Sequence, residues 1–377
     1  FLALDGTGEI IVADTPLHSA DFDKLVKDIG LDIIQEFYEK TFDTRIKVID
    51  LRNEWVMVDD KSGYILGKKK LSGDPNGYCE IDLGNKSELS AISKETNRFS
   101  VMDYDDSLTC EKHTLENHKY LFSGTILNAD FVLNLPKLKT HRLAGITCSL
   151  KNCIGMNVSK DYLPHFRLGS PEIGGDEYSR SSYYNLMVSR CRKALQGKLN
   201  SLIWRFAKKC AYSFQRYILK SDSNKNEVYA IHGGAWYGND TIWRTILDLN
   251  KILFYADKNG VLHNDQQRRC LSIVDGIIAG EGEAPLKATA KNCGLIVCGE
   301  DPVAVDIICS RIMGFDENKI PQLSNSYKLI SHPITDYNGD FSSIEWIKND
   351  QLERFLDEYN SFKFKPPKGW IGHIERE

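Results

Sequence analysis

Nowhere does the sequence hold an apolar run approaching the roughly 20 residues that a membrane-spanning helix requires, and no signal peptide is visible. Its ten cysteines form no C-x-x-C pair, which excludes the zinc-ribbon and ferredoxin ligand spacings. Free, largely buried thiols in a reducing compartment are the expectation that remains. No H-E-x-x-H, no serine nucleophile elbow, no G-x-G-x-x-G and no P-loop is present, so the signature-based hydrolase, metalloprotease and nucleotide-fold assignments lack support. There is no internal repeat and no low-complexity tract.

Acidic charge is missing locally rather than overall. The formal net charge is −4, so the chain as a whole does not attract nucleic acid. Yet "NLPKLKTHRLAGITCSLKNCIGMN" (134–157) carries Lys137, Lys139, His141, Arg142 and Lys151 with no acidic residue, and 178–220 carries five Arg and five Lys with none. Otherwise the composition, 27% charged and 42% hydrophobic, is that of an ordinary globular chain, and 377 residues suffice to bury a large core.

"EIIVAD" reads as a strand, "DFDKLVKDIGLDIIQEFYEK" as an amphipathic helix with Phe22, Leu25, Val26, Ile29, Ile33, Ile34 and Phe37 on one face, and "RIKVIDLR" as the next strand. That order makes a βαβ unit with a parallel pair. Residues 54–83 suggest short strands with glycine turns. "DFVLNLP" is a buried strand stopped by Pro136, and "LAGITCSLKNCIGM" has helical character. "RCLSIVDGII" and "NCGLIVCGED" are core strands, and "DPVAVDIICSRIMG" is a helix with Asp301 as its cap and Pro302 in its first turn. The fold class expected is α/β, a mainly parallel or mixed sheet flanked by helices. The core spans 1–175 and 226–377, and a basic amphipathic helical insertion spans 176–225. Since the chain opens on "FLALDGTG" rather than Met, an amino-terminal piece is expected to be missing from it.

Four constellations carry candidate chemistry. After Pro136 the chain is expected to enter a loop at the carboxyl end of a strand, where open α/β sheets bind ligands. Lys137, Lys139, Thr140, Lys151 and Asn152 would bind an anion there with His141, and the following helix would add its amides. "LPHFRLGSPEIGGDEY" adds His165 and Arg167 on a loop able to close over a ligand. "WYGNDTIWR" offers Trp236, Asn239, Asp240 and Arg244 as ligand contacts, against the plainer reading of helix capping and core packing. "IVDGIIAGEGEAP" brings Asp275 and Glu281 to a turn-rich edge, suited to Mg²⁺ or to acid/base work. Asp275, Glu281 and His141 are the catalytic candidates, the first two also the metal candidates.

The segments "PKLKTHRLAGITCSLKNCIG", "IVDGIIAGEG" and "CGEDPVAVD", with "ADTPLHSADFDKL" and "EIDLGNKSEL", together resemble the domain-of-unknown-function family numbered 362 over most of the chain. With "LPHFRLGSPEIGGDEY" and "WYGNDTIWRTILDLN" the chain also resembles the branch of that family found with surface-polysaccharide genes. The resemblance implies no assigned reaction. Many relatives add a ferredoxin-like module with clustered cysteines, absent from this sequence, so an iron–sulfur cluster is not expected. The family's loop reads Gly-Glu-Gly-Asn-Gly-Pro where this chain has "GEGEAP", and its opening Lys-Pro-Asn strand is not in this sequence.

The leading expectation is a cytoplasmic enzyme, of ligase or transferase class, acting on a phosphate- or carboxylate-bearing sugar intermediate of envelope polysaccharide synthesis. The first alternative is a non-catalytic scaffold whose 178–220 segment touches the inner face of the membrane, each Lys or Arg near the surface contributing about 1 kcal/mol. The second is a redox or metallocofactor enzyme. Nucleic acid is not an expected partner, and an oligomer is left open.

Overall fold

The computed structural model describes residues 8–44, 46–58, 65–95, 97–101, 106–180, 185, 233–345 and 362–376. The basic insertion expected over 176–225 lies almost wholly outside them. Its first residues, Asp176, Glu177 and Tyr178, are buried. Described strands are β1 (Ile11–Asp14), β2 (Lys47–Asp50), β3 (Glu54–Val58), β4 (Ile65–Lys70), β5 (Tyr78–Asp82), β6 (Phe99–Ser100), β7 (Lys119–Ser123), β8 (Phe131–Asn134), β9 (Lys137–His141), β10 (Gly145–Thr147), β11 (Phe166–Arg167), β12 (Arg269–Glu283) and β13 (Lys287–Gly299). The helices used below are α1 (Phe22–Asp28), α2 (Leu31–Phe42), α3 (Asp106–Lys112), α4 (Gly124–Leu127), α5 (Ser149–Asn152), α6 (Ile242–Tyr255) and α7 (Pro302–Met313). Parallel and antiparallel strands flanked by helices make this an α/β protein.

The βαβ reading of the first fifty residues holds in its strands. β1 and β2 pair in parallel from Ile11↔Lys47 to Asp14↔Asp50. The helix between them is not continuous: Gly30, at φ 71°, separates α1 from α2. Its apolar face is not part of the core either. Leu25, Ile29, Ile33, Ile34 and Phe37 are exposed, Ile29 by 69%. The 3.6-residue period identified a helix, but no described element covers its apolar stripe.

The main sheet runs β10-β9-β12-β13, and β8 pairs with β12 on the same edge as β9. β12 is parallel to β8 (Arg269↔Phe131 to Ser272↔Asn134) and to β9 (Asp275↔Lys137, Gly280↔Lys139), and antiparallel to β13. Two expectations are corrected here. Pro136 does not end the strand region at a loop. It lacks an N–H and so interrupts the ladder between β8 and β9, while its carbonyl accepts from the Asp275 amide at 2.9 Å. The turn-rich loop expected after Asp275 is likewise strand: β12 continues to Glu283 through an irregularity between Gly276 and Ile278.

The core lies against one side of this sheet, around α6. Every residue of α6 except Arg244 is buried, and its polar groups are accordingly bonded. Lys251 Nζ donates to Glu88 Oε1 at 2.6 Å and to the Lys86 carbonyl at 2.7 Å. Asp248 accepts from the Glu88 amide at 2.8 Å, from the Tyr120 hydroxyl at 2.9 Å and from the Ser87 hydroxyl. Asp301 caps α7, as its sequence predicts, accepting from the amides of Val303 and Ala304 at 2.8 and 3.0 Å. Among the described residues no helix is long and apolar enough to cross a membrane.

Candidate functional site

Alternation along β9 sorts the basic stretch. Leu138 and Thr140 point into the buried side, and Lys137 and Lys139 share the other face. Their fates differ. Lys137 Nζ meets Asp275 Oδ2 at 2.6 Å in an ion pair half open to solvent, the side chains 44% and 49% exposed. The Lys137 hydrogen bond holds the Asp275 carboxyl below its usual range. Lys139 is half-buried and has no such partner among the described residues. Burial lowers its pKa, against the opposing pull of Cys148 and Asp14.

The chain then turns through Arg142–Ala144 into β10, and α5 follows. Gly145, at φ +76°, makes this close turn, and a side chain there would strike Trp370 and Ile374. Amide donors at the start of α5 do not await a ligand, contrary to expectation. Ser149 N and Leu150 N donate to the two oxygens of Asp306 at 2.6 and 3.0 Å. Burial raises the pKa of that carboxyl to about 7, against the pull of the two amides.

Lys151, on α5, is 9% exposed. Burial, then Lys160 and Lys139, lower its pKa to about 7. Lys160 starts a short turn that ends at Tyr162 and is half-buried; burial lowers it to about 8, with Asp14 opposing. Asp14 is the last residue of β1. It is open to solvent but hemmed in by protein, and this desolvation raises its pKa despite Lys160 nearby. Thr15 anchors the same strand end by donating from its hydroxyl to the Gly155 carbonyl. A side-chain carbon on Gly155 would lie 3.5 Å from both Asp14 Oδ1 and Thr15 Oγ1, so the turn after α5 rests on the end of β1.

Two imidazoles complete the group. His141 Nδ1 accepts from the amides of Leu143 and Ala144 at 3.1 and 3.3 Å, so its proton sits on Nε2. His165 Nδ1 lies 2.6 Å from the Leu163 carbonyl and therefore carries its proton there, leaving Nε2 with a lone pair. Burial, then the cations around them, keep both neutral: His141 is pushed well below its ordinary value, His165 to about 4. Lys139, Lys151, Lys160, His141 and His165 thus share one electrostatic neighbourhood; among the described residues Asp14 is the carboxylate that acts on Lys139 and Lys160, and the Asp50–Arg52 ion pair borders it. Among the described residues none of the three lysines makes an ion pair.

The other candidates are occupied elsewhere. The Thr140 hydroxyl donates to the Gly282 carbonyl at 2.8 Å. Asn152 Nδ2 donates to Asn134 Oδ1 at 2.7 Å. Glu281 accepts from Lys291 Nζ at 2.9 Å and the Lys365 amide at 3.0 Å, tying down the carboxy-terminal segment. With Asp275 and Glu281 each neutralised by a lysine, the pair does not suit Mg²⁺. Among the described residues no three His, Cys, Asp or Glu side chains are grouped to hold a metal.

The "WYGNDTIWR" segment is structural. Trp236 is buried and its indole donates to the Asp176 carbonyl at 2.8 Å. Asn239 Oδ1 accepts from the amides of Thr241 and Ile242, both at 3.0 Å, and so holds the turn that leads into α6, whose cap position is Thr241. Arg244 reaches Asp240 Oδ1 at 3.0 Å and the Glu88 carbonyl at 2.9 Å. Arg167 lies 3.4 Å from Asp176 and 3.5 Å from Asp240 and lines a separate pocket with Lys94 and Arg98. Asn239→Ala is expected to lower stability by about 1–3 kcal/mol, the cost of leaving buried amides without their acceptor, measured by urea denaturation; an unchanged midpoint contradicts the role of Asn239 in holding this turn.

Sequence reasoning missed Asp14, Thr15 and Lys160. The signal for Asp14 was present, since it stands at the carboxyl end of a parallel strand; nothing local marks Lys160.

No curated protein and no solved structure matched the chain in comparison searches. The model of one family, described as "Domain of unknown function (DUF362)", matches residues 56–311, more than half of the sequence, and the chain belongs to that family.

Proposed function

We propose that this protein is an enzyme that binds a small phosphate- or carboxylate-bearing molecule where the end of β1, β9 and α5 come together. One observation carries the reading: among the described residues Lys139, Lys151 and Lys160 act on one another without an ion pair, and Asp14 opposes the charge of Lys139 and Lys160. Gathering ammonium groups away from water is unfavourable, and an anionic ligand supplies the missing counter-charge. The three lysines and both imidazoles lie within the matched family segment. An anionic sugar intermediate of envelope polysaccharide synthesis, the substrate class the resemblance suggests, fits this charge. Asp275 and Glu281 drop out as catalytic groups; His141 stays as a neutral donor from Nε2. The scaffold alternative rests on 178–220, almost wholly outside the described residues, and among the described residues no grouping of cysteines favours the redox alternative.

Sulfate tests this, because it remains a dianion across the working range. Isothermal titration is expected to show binding that weakens at least tenfold between pH 6 and pH 9. The sign follows from the site: Lys151 and Lys160 lose their protons as pH rises through about 7 and about 8, and a dianion prefers the ammonium forms. Lys139→Met with Lys160→Met removes two charged donors, each contributing about 1.5–3 kcal/mol, and is expected to weaken sulfate at least 100-fold. Absent binding, or binding indifferent to pH and to both substitutions, refutes the proposal.

A further inference from the structure

Within the cationic cluster the three lysines are not equivalent. Lys139 and Lys160 each have Asp14 in electrostatic reach, which favours their charged forms. Lys151 is the most enclosed, and its strongest electrostatic neighbours are both cations. It makes no hydrogen bond or ion pair among the described residues. An amine placed so, desolvated and beside other cations, holds its lone pair ready at neutral pH. The two imidazoles that feel the Lys151 charge present complementary atoms, an N–H on His141 and a free lone pair on His165.

We infer that Lys151 is the nucleophile of this site and condenses with the carbonyl of an anionic oxo compound, an oxo acid or a sugar phosphate in its open form. This rests on the proposed function and deepens it: Lys139 and Lys160 hold the anionic group, and Lys151 reacts. The Nζ lone pair adds to the carbonyl carbon while the C=O π pair moves to oxygen, which takes up a proton. The resulting carbinolamine loses water to give a protonated imine. No oxidant or reductant is needed. His141 Nε2–H donates to the carbonyl oxygen, and His165 Nε2 accepts a hydrogen bond from the amine as its lone pair turns to the substrate.

Glyoxylate, a small aldehyde bearing a carboxylate, is the probe, with cyanoborohydride reducing any imine to a stable secondary amine. Peptide mapping of the intact wild-type chain is expected to find Lys151 labelled first. Its labelling should have its half-rise near pH 7, whereas ordinary lysines follow a pKa of about 10.4, and sulfate should slow it. Sulfate protects by occupying the site and by raising the ammonium pKa. Lys151→Arg should abolish this fast label and leave the slow surface labelling unchanged. Should the label appear at Lys139 or Lys160, or only at exposed lysines such as Lys137 and Lys287, while sulfate still binds, the role of Lys151 is overturned and the anion site stands. If sulfate does not bind either, the proposed function falls and this inference with it.

Discussion

Lys151→Met is expected to stabilise the folded chain by on the order of 2–4 kcal/mol at pH 7, an unusual gain for one substitution. In the unfolded chain the ammonium keeps its proton up to about pH 10.4; in the fold it releases it near 7. Unfolding therefore takes up a proton between those values. By linkage the penalty of this buried charge is full below pH 7 and fades as pH rises toward 10. Methionine fills a similar volume with no charge to desolvate and no repulsion from Lys139 and Lys160. The gain should accordingly shrink when the two proteins are compared at pH 9.5. Urea denaturation of both at the two pH values checks it. Equal stability at pH 7 means that the amine is adequately solvated, which removes the tension on which the site reading depends. Sites that bind charge commonly sit uncomfortably in the empty protein.

Asp306→Ala is expected to act in the opposite direction, destabilising by roughly 3 kcal/mol. It would strip the acceptors from Ser149 N and Leu150 N, leaving two buried amides unsatisfied at the turn that presents Lys151. Asp306→Asn keeps one acceptor and should recover about half of that loss. It should also change the pH dependence in a definite sense. The folded carboxyl keeps its proton to about pH 7, whereas its unfolded value is near the ordinary 3.8. Its contribution is therefore most favourable below 3.8 and is lost as pH rises through 7. Asparagine does not titrate, so Asp306→Asn should compare better with wild type at pH 8 than at pH 5. Denaturation midpoints of the three proteins at both values decide this. If Asp306→Ala is as stable as wild type, the carboxylate does not hold α5 in place.

Several features were legible from local pattern alone. Short apolar, β-branched runs marked β1, β2, β8, β12 and β13, and the strand–helix–strand order implied the parallel pair that β1 and β2 form. The Asp-Pro start of α7 carries its own capping chemistry. The family segments were recognisable because they are contiguous. Glycine also limited the reading: Gly30 lies inside a helical period, and only its positive φ shows that the helix divides there.

What the sequence determined by itself was the α/β class, most strand positions and an excess of positive charge over 134–157. Which of those charges remain unpaired was decided by tertiary structure. Lys137 and Lys139 are two residues apart on one strand face. The first meets Asp275 from the neighbouring strand and the second meets the end of β1 and α5. Asp14 comes from a part of the chain far from Lys139, Lys151 and Lys160, and neither the desolvation of these groups nor the repulsion among the lysines exists until the elements pack. Charge is written in the residue, but its energy belongs to the surroundings, and those are set by contacts between distant segments that no local pattern encodes.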